Sequence, residues 1–86
     1  METNSINKLL KTTLLHEFPN IVKDVVVTEE DLGQNMYYLH AYVVLNKYED
    51  FEHRNRIIKF INDISRYSFG LEGNKINQIS FTRDNN

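Results

Sequence analysis

Three histidines, His16, His40 and His53, are the side chains of this 86-residue chain that could titrate near neutrality or ligate a metal through nitrogen. No two stand three or four residues apart, the spacing that brings two imidazoles to one helix face, and no acid completes a zinc motif around them. His16 therefore reads as a helix-end residue and His53 as a first-turn surface residue. His40 reads as a packed or interfacial strand residue, where its charge could make self-association sensitive to pH or metal. The absence of cysteine removes thiolate nucleophiles, disulfides and cysteine-based zinc or iron–sulfur centres. Glu29, Glu30 and Asp31 lack the ligand pattern of a calcium loop and read as a solvated turn. Gly70-Leu71-Glu72-Gly73-Asn74-Lys75 lacks the two closing residues of a phosphate loop and precedes a strand, and no Gly-x-Ser-x-Gly elbow occurs. The expectation is no catalytic residue, no metal site and no cofactor.

Whatever these residues do, a small frame must hold them. With 41% apolar residues, one proline and 86 residues in all, the chain suits a single domain spanning 1–86. A chain this short buries only about 60% of its unfolded surface, so a partner would add useful stability. Residues 1 to 52 carry four lysines against nine acids, a charge of −5, and residues 53 to 86 carry six Lys and Arg against three acids, a charge of +3. The net −2 disfavours nucleic acid as the main partner, although Arg54, Arg56, Lys59 and Arg66 leave a local basic helix face as a possible nucleic-acid contact. Apolar runs such as Val25 to Val27 and Val43 to Leu45 fall far short of the roughly 18 residues that span a bilayer. No membrane partner is expected, and the cysteine-free composition points to the cytoplasm.

Ile6, Leu9, Leu10 and Leu14 fall on one face of a helix over 4–17, which Pro19 prevents from continuing. β-Branched residues predict a strand over 21–29, and Gly33-Gln34-Asn35 a hairpin loop. A second strand follows over 36–47. Asp50 caps a second helix over 51–67, with Ile57, Phe60, Ile61 and Ile64 on its dry side, and Gly70 and Gly73 bracket its exit. Alternation over 75–83 predicts a third strand. The order α-β-β-α-β predicts an α+β fold: a two-layer α/β sandwich with a three-stranded sheet and both helices on one face. A helical crossover should leave the second and third strands parallel, and the expected strand order is 2-1-3.

The second strand carries the functional expectation. Tyr37, Leu39, Ala41, Val43 and Leu45 form an aliphatic row suited to the helices. Met36, Tyr38, His40, Tyr42 and Val44 form an aromatic, mostly uncharged row on the other side, extended by Ile76 and by Val22 or Val26. With helices on one face only, that second row is open, and contiguous exposed apolar area marks a contact surface. The expected interface is Met36, Tyr38, His40, Tyr42, Val44 and Ile76, and the expected partner is a protein, most economically a second copy of the chain.

Two stretches carry family resemblances. Leu14-Leu15-His16-Glu17-Phe18-Pro19-Asn20-Ile21-Val22-Lys23-Asp24-Val25-Val26-Val27 and Tyr38-Leu39-His40-Ala41-Tyr42-Val43-Val44 resemble the C-terminal subdomain of adenylate-forming enzymes, with its "V-x-x-A-V-V" and "L-x-A-Y-V-V" strands. Nothing after Phe81 matches that family's catalytic Gly-Lys element, so the resemblance implies an accessory fragment without adenylating activity. The element order is also similar to the cytoplasmic dimerisation domain of cation-efflux transporters, whose second strand carries a histidine, as His40 does here. With Phe81-Thr82-Arg83-Asp84 at its end, the chain is similar as well to ribosome-binding factor A and its KH-like fold. Three families sharing one pattern describe architecture and leave function to the site. The leading expectation is a non-catalytic interaction or adaptor domain that self-associates through its sheet face. The alternatives are a KH-like RNA-associated module using the basic second helix, an accessory fragment of an adenylate-forming system, and a phage or plasmid inhibitor of a host protein.

Overall fold

Pro19 cannot extend the helix before it, and the β-branched residues after it favour a pleated strand, so the backbone changes geometry over a few residues. The computed structural model describes residues 3–34, 36–46, 51–68 and 76–83. Within them, α1 is Thr3–Glu17, β1 Val22–Gly33, β2 Met36–Leu45, α2 Phe51–Ser68 and β3 Gln78–Arg83. The fold is α+β with an open mixed three-stranded sheet, in the expected order α-β-β-α-β. The Phe18 N–H donates to the Leu14 carbonyl at 2.8 Å, and the Phe18 carbonyl accepts from Ile21 and Val22 at 3.1 and 3.0 Å. These bonds close α1 and launch β1. The Asp50 cap, the Gly70–Gly73 exit and the side chain of Arg66 lie outside the described residues.

The strand order is β1-β2-β3, which corrects the expected 2-1-3. β2 pairs antiparallel with β1 from Val22↔Leu45 to Gly33↔Met36, and parallel with β3 from His40↔Gln78 to Leu45↔Arg83. Charge explains the centre. β1 carries Lys23, Asp24, Glu29, Glu30 and Asp31, which suit an edge, whereas β2 has no Asp, Glu, Lys or Arg and is flanked on both sides. The outer edge of β1 is also blunted locally: Asn7 Oδ1 accepts the Val27 N–H at 3.2 Å, and Asp24 Oδ1 accepts the Val25 N–H at 2.8 Å.

Glu29, Glu30 and Asp31, expected as a turn, are strand residues paired with Leu39, Tyr38 and Tyr37. The turn comes later, where Gly33 and Gln34 take φ angles of 85° and 53° and Asp31 Oδ1 accepts the Gly33 N–H at 2.8 Å. Glycine accepts such a φ without a steric penalty. The lengthened hairpin sets the long dimension of the molecule, 41 Å, because a 12-residue strand at about 3.4 Å per residue is about as long.

One cluster forms the core. Ile6, Leu10 and Leu14 of α1, Ile57 and Ile61 of α2, and Leu39, Ala41, Val43 and Leu45 of β2 all belong to it and are buried. Phe18 and Phe60 add an edge-to-face contact at 5.6 Å that ties the end of α1 to α2. A register shift between Val22 and Asp24 lets both Val22 and Val25 reach the core, although they are three residues apart.

Asn77 precedes β3 and completes the edge of β2 there. Its Oδ1 accepts the N–H of the fully buried Leu39 at 2.8 Å, while its own N–H donates to the Leu39 carbonyl at 2.9 Å. Asn77→Ala removes the acceptor and is expected to cost about 1–3 kcal/mol, the penalty of a buried N–H left unpaired. Asn77→Asp keeps an oxygen there and should recover most of the loss. Urea unfolding of the two variants checks this, and an equal loss in both would contradict the role given to Oδ1.

Candidate interaction surface

Alternation along β2 separates dry residues from accessible ones. Tyr38, His40, Tyr42 and Val44 take the side opposite Leu39, Ala41, Val43 and Leu45, and β1 and β3 widen that side through cross-strand pairing. Val26 lies opposite Tyr42, Thr28 opposite His40, and Ser80 beside Tyr42 in the parallel register. Met36, Val26 and Tyr42 keep 58%, 42% and 38% of their surface accessible, large values for side chains of this kind on a sheet. Tyr38, His40 and Val44 are half-buried by their neighbours.

The surface is ordered by its own contacts. The rings of His40 and Tyr42 stack with centroids 3.9 Å apart and an interplanar angle of 16°. His40 Nε2 and Ser80 Oγ share a hydrogen bond of 2.6 Å, and the Tyr38 hydroxyl donates to Gln78 Oε1 at 2.9 Å. Both bonds tie β2 side chains to β3, so the aromatic row is held in place by the chain's own side chains. Charge reaches this side from β1: Asp24 pairs with Val44 at one end of the row, and Glu30 with Tyr38, inside the Met36 end. Asp24 is further engaged by Lys11 at 3.2 Å.

Ile76 does not belong to this surface, which corrects its expected place. It is 4% exposed and sits in the core cluster. Strand parity holds only within a strand, and β3 starts at Gln78, two residues beyond it. Val22 is likewise buried, leaving Val26 as the β1 residue that extends the row. Gln78, Ser80 and Thr28 were absent from the expected set. Alternation along β3 places Gln78 and Ser80 on this side, but their polarity sets them outside a pattern of exposed apolar residues. Leu32, 54% exposed near the hairpin turn, lay in a segment expected to leave the sheet.

On the basic face of α2, Arg54 is half-buried and Arg56 is exposed. The Arg54 guanidinium lies 5.8 Å from the centre of the Phe81 ring, and that of Arg56 lies 5.8 Å from the Phe18 ring. Lys59 is exposed. Arg56 and Lys59 share a shallow depression of about 330 Å³ with Glu17, Phe18, Phe60 and Asp63, so two carboxylates accompany the two cations. His16 stands exposed near the end of α1 and His53 is on α2, apart from His40 in sequence and in element. No group of three metal-ligating side chains occurs among the described residues.

No family model and no curated protein matches this chain. The functional reading therefore rests on the surface itself.

Proposed function

We propose that this protein is a small, non-catalytic interaction domain that pairs with a second copy of itself through the accessible face of its sheet, in the cytoplasm. One observation carries the reading: the central strand turns a preorganised aromatic row, His40 stacked on Tyr42 and Tyr38 fixed to Gln78, towards the side away from the core. Such rigid, amphipathic side chains supply contact area at low entropic cost. His40 and Ser80 are within hydrogen-bond distance, but no carboxylate bonds the ring among the described residues, so the pair lacks the third group that would orient a general base.

A second copy suits the charge pattern. An isologous interface must complement itself, and the middle of this face offers hydroxyls, an amide and apolar groups without a net charge to oppose its own image. Asp24 lies opposite Val44 at one end of the row, and Glu30 lies opposite Tyr38, inside the Met36 end. Size sets the strength. Three strands spaced by about 4.8 Å, with these lengths, cover roughly 450 Å² in projection, less than the roughly 800 Å² per partner of a standard interface. A reversible dimer with a micromolar dissociation constant is the expected result of sedimentation velocity over a wide concentration range at neutral pH. A single monomeric species at every concentration up to about millimolar would overturn the reading. No described helix is long and apolar enough to cross a membrane.

A further inference from the structure

We infer that the outer edge of β3 is a second site of self-association, where the strand pairs antiparallel with β3 of another copy and continues the sheet; the inference goes beyond the face contact and does not require it. Hydrogen bonds on β2 fix which way the β3 backbone points. Asn46 donates its N–H to the Ile21 carbonyl on the β1 side, whereas Leu39 turns both its backbone groups to Asn77 on the β3 side. Alternation places Ala41 and Val43 with Leu39, so in the parallel register Gln78, Ser80 and Thr82 are the β3 residues that bond β2. The N–H and carbonyl groups of Ile79 and Phe81 therefore point outwards. Among the described residues neither has a hydrogen-bond partner on that side.

The two edges of the sheet differ. On β1 the outward N–H groups of Val25 and Val27 are taken by Asp24 Oδ1 and Asn7 Oδ1, acids follow at Glu29, Glu30 and Asp31, and the register shifts twice. Such devices keep an edge from adding a strand. β3 has no proline, no acid and no register shift, and its one charge, Arg83, stands at its end. Its apolar side chains are also incompletely covered. Ile79 and Phe81 pack against the core beside Ala41 and Val43 but are only half-buried, because β2 flanks them on one side and no described strand on the other.

A second copy fits this edge by symmetry and charge. A two-fold axis beside Ser80, perpendicular to the sheet, sets Ile79 opposite the second copy's Phe81 and Phe81 opposite its Ile79, each pair exchanging N–H and carbonyl bonds. Aliphatic and aromatic side chains facing each other across strands are a favourable pair. Ser80 meets its own image, and Arg83 falls opposite Asn77 of the second copy instead of another arginine. The same axis joins the two accessible faces side by side, which takes the roughly 450 Å² of one copy past the roughly 800 Å² per partner of a standard interface. A foreign strand would supply the bonds without that area. The ladder is short, so this contact is weaker than the face contact and forms towards about millimolar concentration.

Amide hydrogen exchange of the full chain, resolved by NMR at about 50 μM and about 2 mM, tests this. Amides without a partner exchange without unfolding, so a general gain in stability leaves them fast and only a bond made at the edge slows them. Ile79 and Phe81 are expected to slow at least about fivefold at the higher concentration. The Tyr38→Lys, Tyr42→Lys variant, altered on the face alone, should keep that slowing. In a mixture of isotope-labelled and unlabelled chain, an intermolecular NOE between the α-protons of the two Ser80 residues is expected, because theirs is the close, non-hydrogen-bonded pair. Exchange at Ile79 and Phe81 that is equally fast at both concentrations leaves the edge to solvent or a foreign strand; it overturns the pairing and leaves the face contact standing. Exchange equally slow at both means that the chain covers this edge itself and also overturns it. A slowing that vanishes in the lysine variant overturns the independence of edge from face.

Discussion

Replacing Tyr38 and Tyr42 together by lysine should yield a folded, soluble monomer at concentrations where the proposed wild-type dimer forms. Both rings lie in the accessible row, and Tyr42 keeps 38% of its surface open, so neither substitution empties a core position. Lysine is preferable to an acid because Tyr38 lies opposite Glu30, and a like charge directly across a strand pair would destabilise the hairpin for reasons unrelated to association. The double variant loses the bond from the Tyr38 hydroxyl to Gln78 and the ring stacked on His40, together costing about 1–2 kcal/mol of fold stability. At the interface the cost is larger. Each copy would carry two cations into a water-excluded face, with Glu30 opposite only the one at position 38, which should weaken the dimer at least about 100-fold. Light scattering gives the mass, and circular dichroism the fold. A variant that unfolds without passing through a native monomer would show that the tyrosines stabilise the core; one that remains dimeric would place the contact elsewhere.

The expectations that held and those that failed separate by what each depended on. Leu39, Ala41, Val43 and Leu45 are buried as the period of two along β2 requires, and Tyr42 is exposed on the other side. Ile6, Leu10 and Leu14 meet Ile57 and Ile61 in one cluster, as helical spacing allows. Periodicity acts within an element, so it was legible. Strand order was not, because it depends on which edges are already satisfied. Asn7 and Asn77 bond the backbone of Val27 and Leu39 across 20 and 38 positions of sequence, and neither partner could be read from local pattern. Ile76 failed for a related reason: the parity extrapolated from β3 ended where Asn77 turned its side chain to Leu39. The candidate surface was therefore legible along β2 and incomplete towards β3, where Ser80 and Gln78 fix His40 and Tyr38.

Leu39 joins the fold to the proposed function, and its truncation should have the largest effect on stability. The side chain is fully buried in the cluster that includes both helices, while its backbone is held by Asn77 on one side of β2. Leu39→Ala is expected to cost about 2–5 kcal/mol, the lost transfer of the side chain plus the cavity left behind. A domain of this size has only about 4–13 kcal/mol in total, so the melting temperature should fall by about 10 °C or more. Association changes how that loss is expressed. If only the folded chain dimerises, mass action stabilises it more as concentration rises, and the melting temperature of Leu39→Ala should climb with concentration. The Tyr38→Lys, Tyr42→Lys background should abolish that climb while leaving the cost of Leu39→Ala at low concentration unchanged, because the two sites act on different equilibria. Differential scanning calorimetry of the single, double and triple variants over a hundredfold range of concentration makes the comparison. A concentration-independent melting temperature in Leu39→Ala would mean that folding and association are not coupled, and the sheet face would lose its claim to be the surface through which the chain pairs.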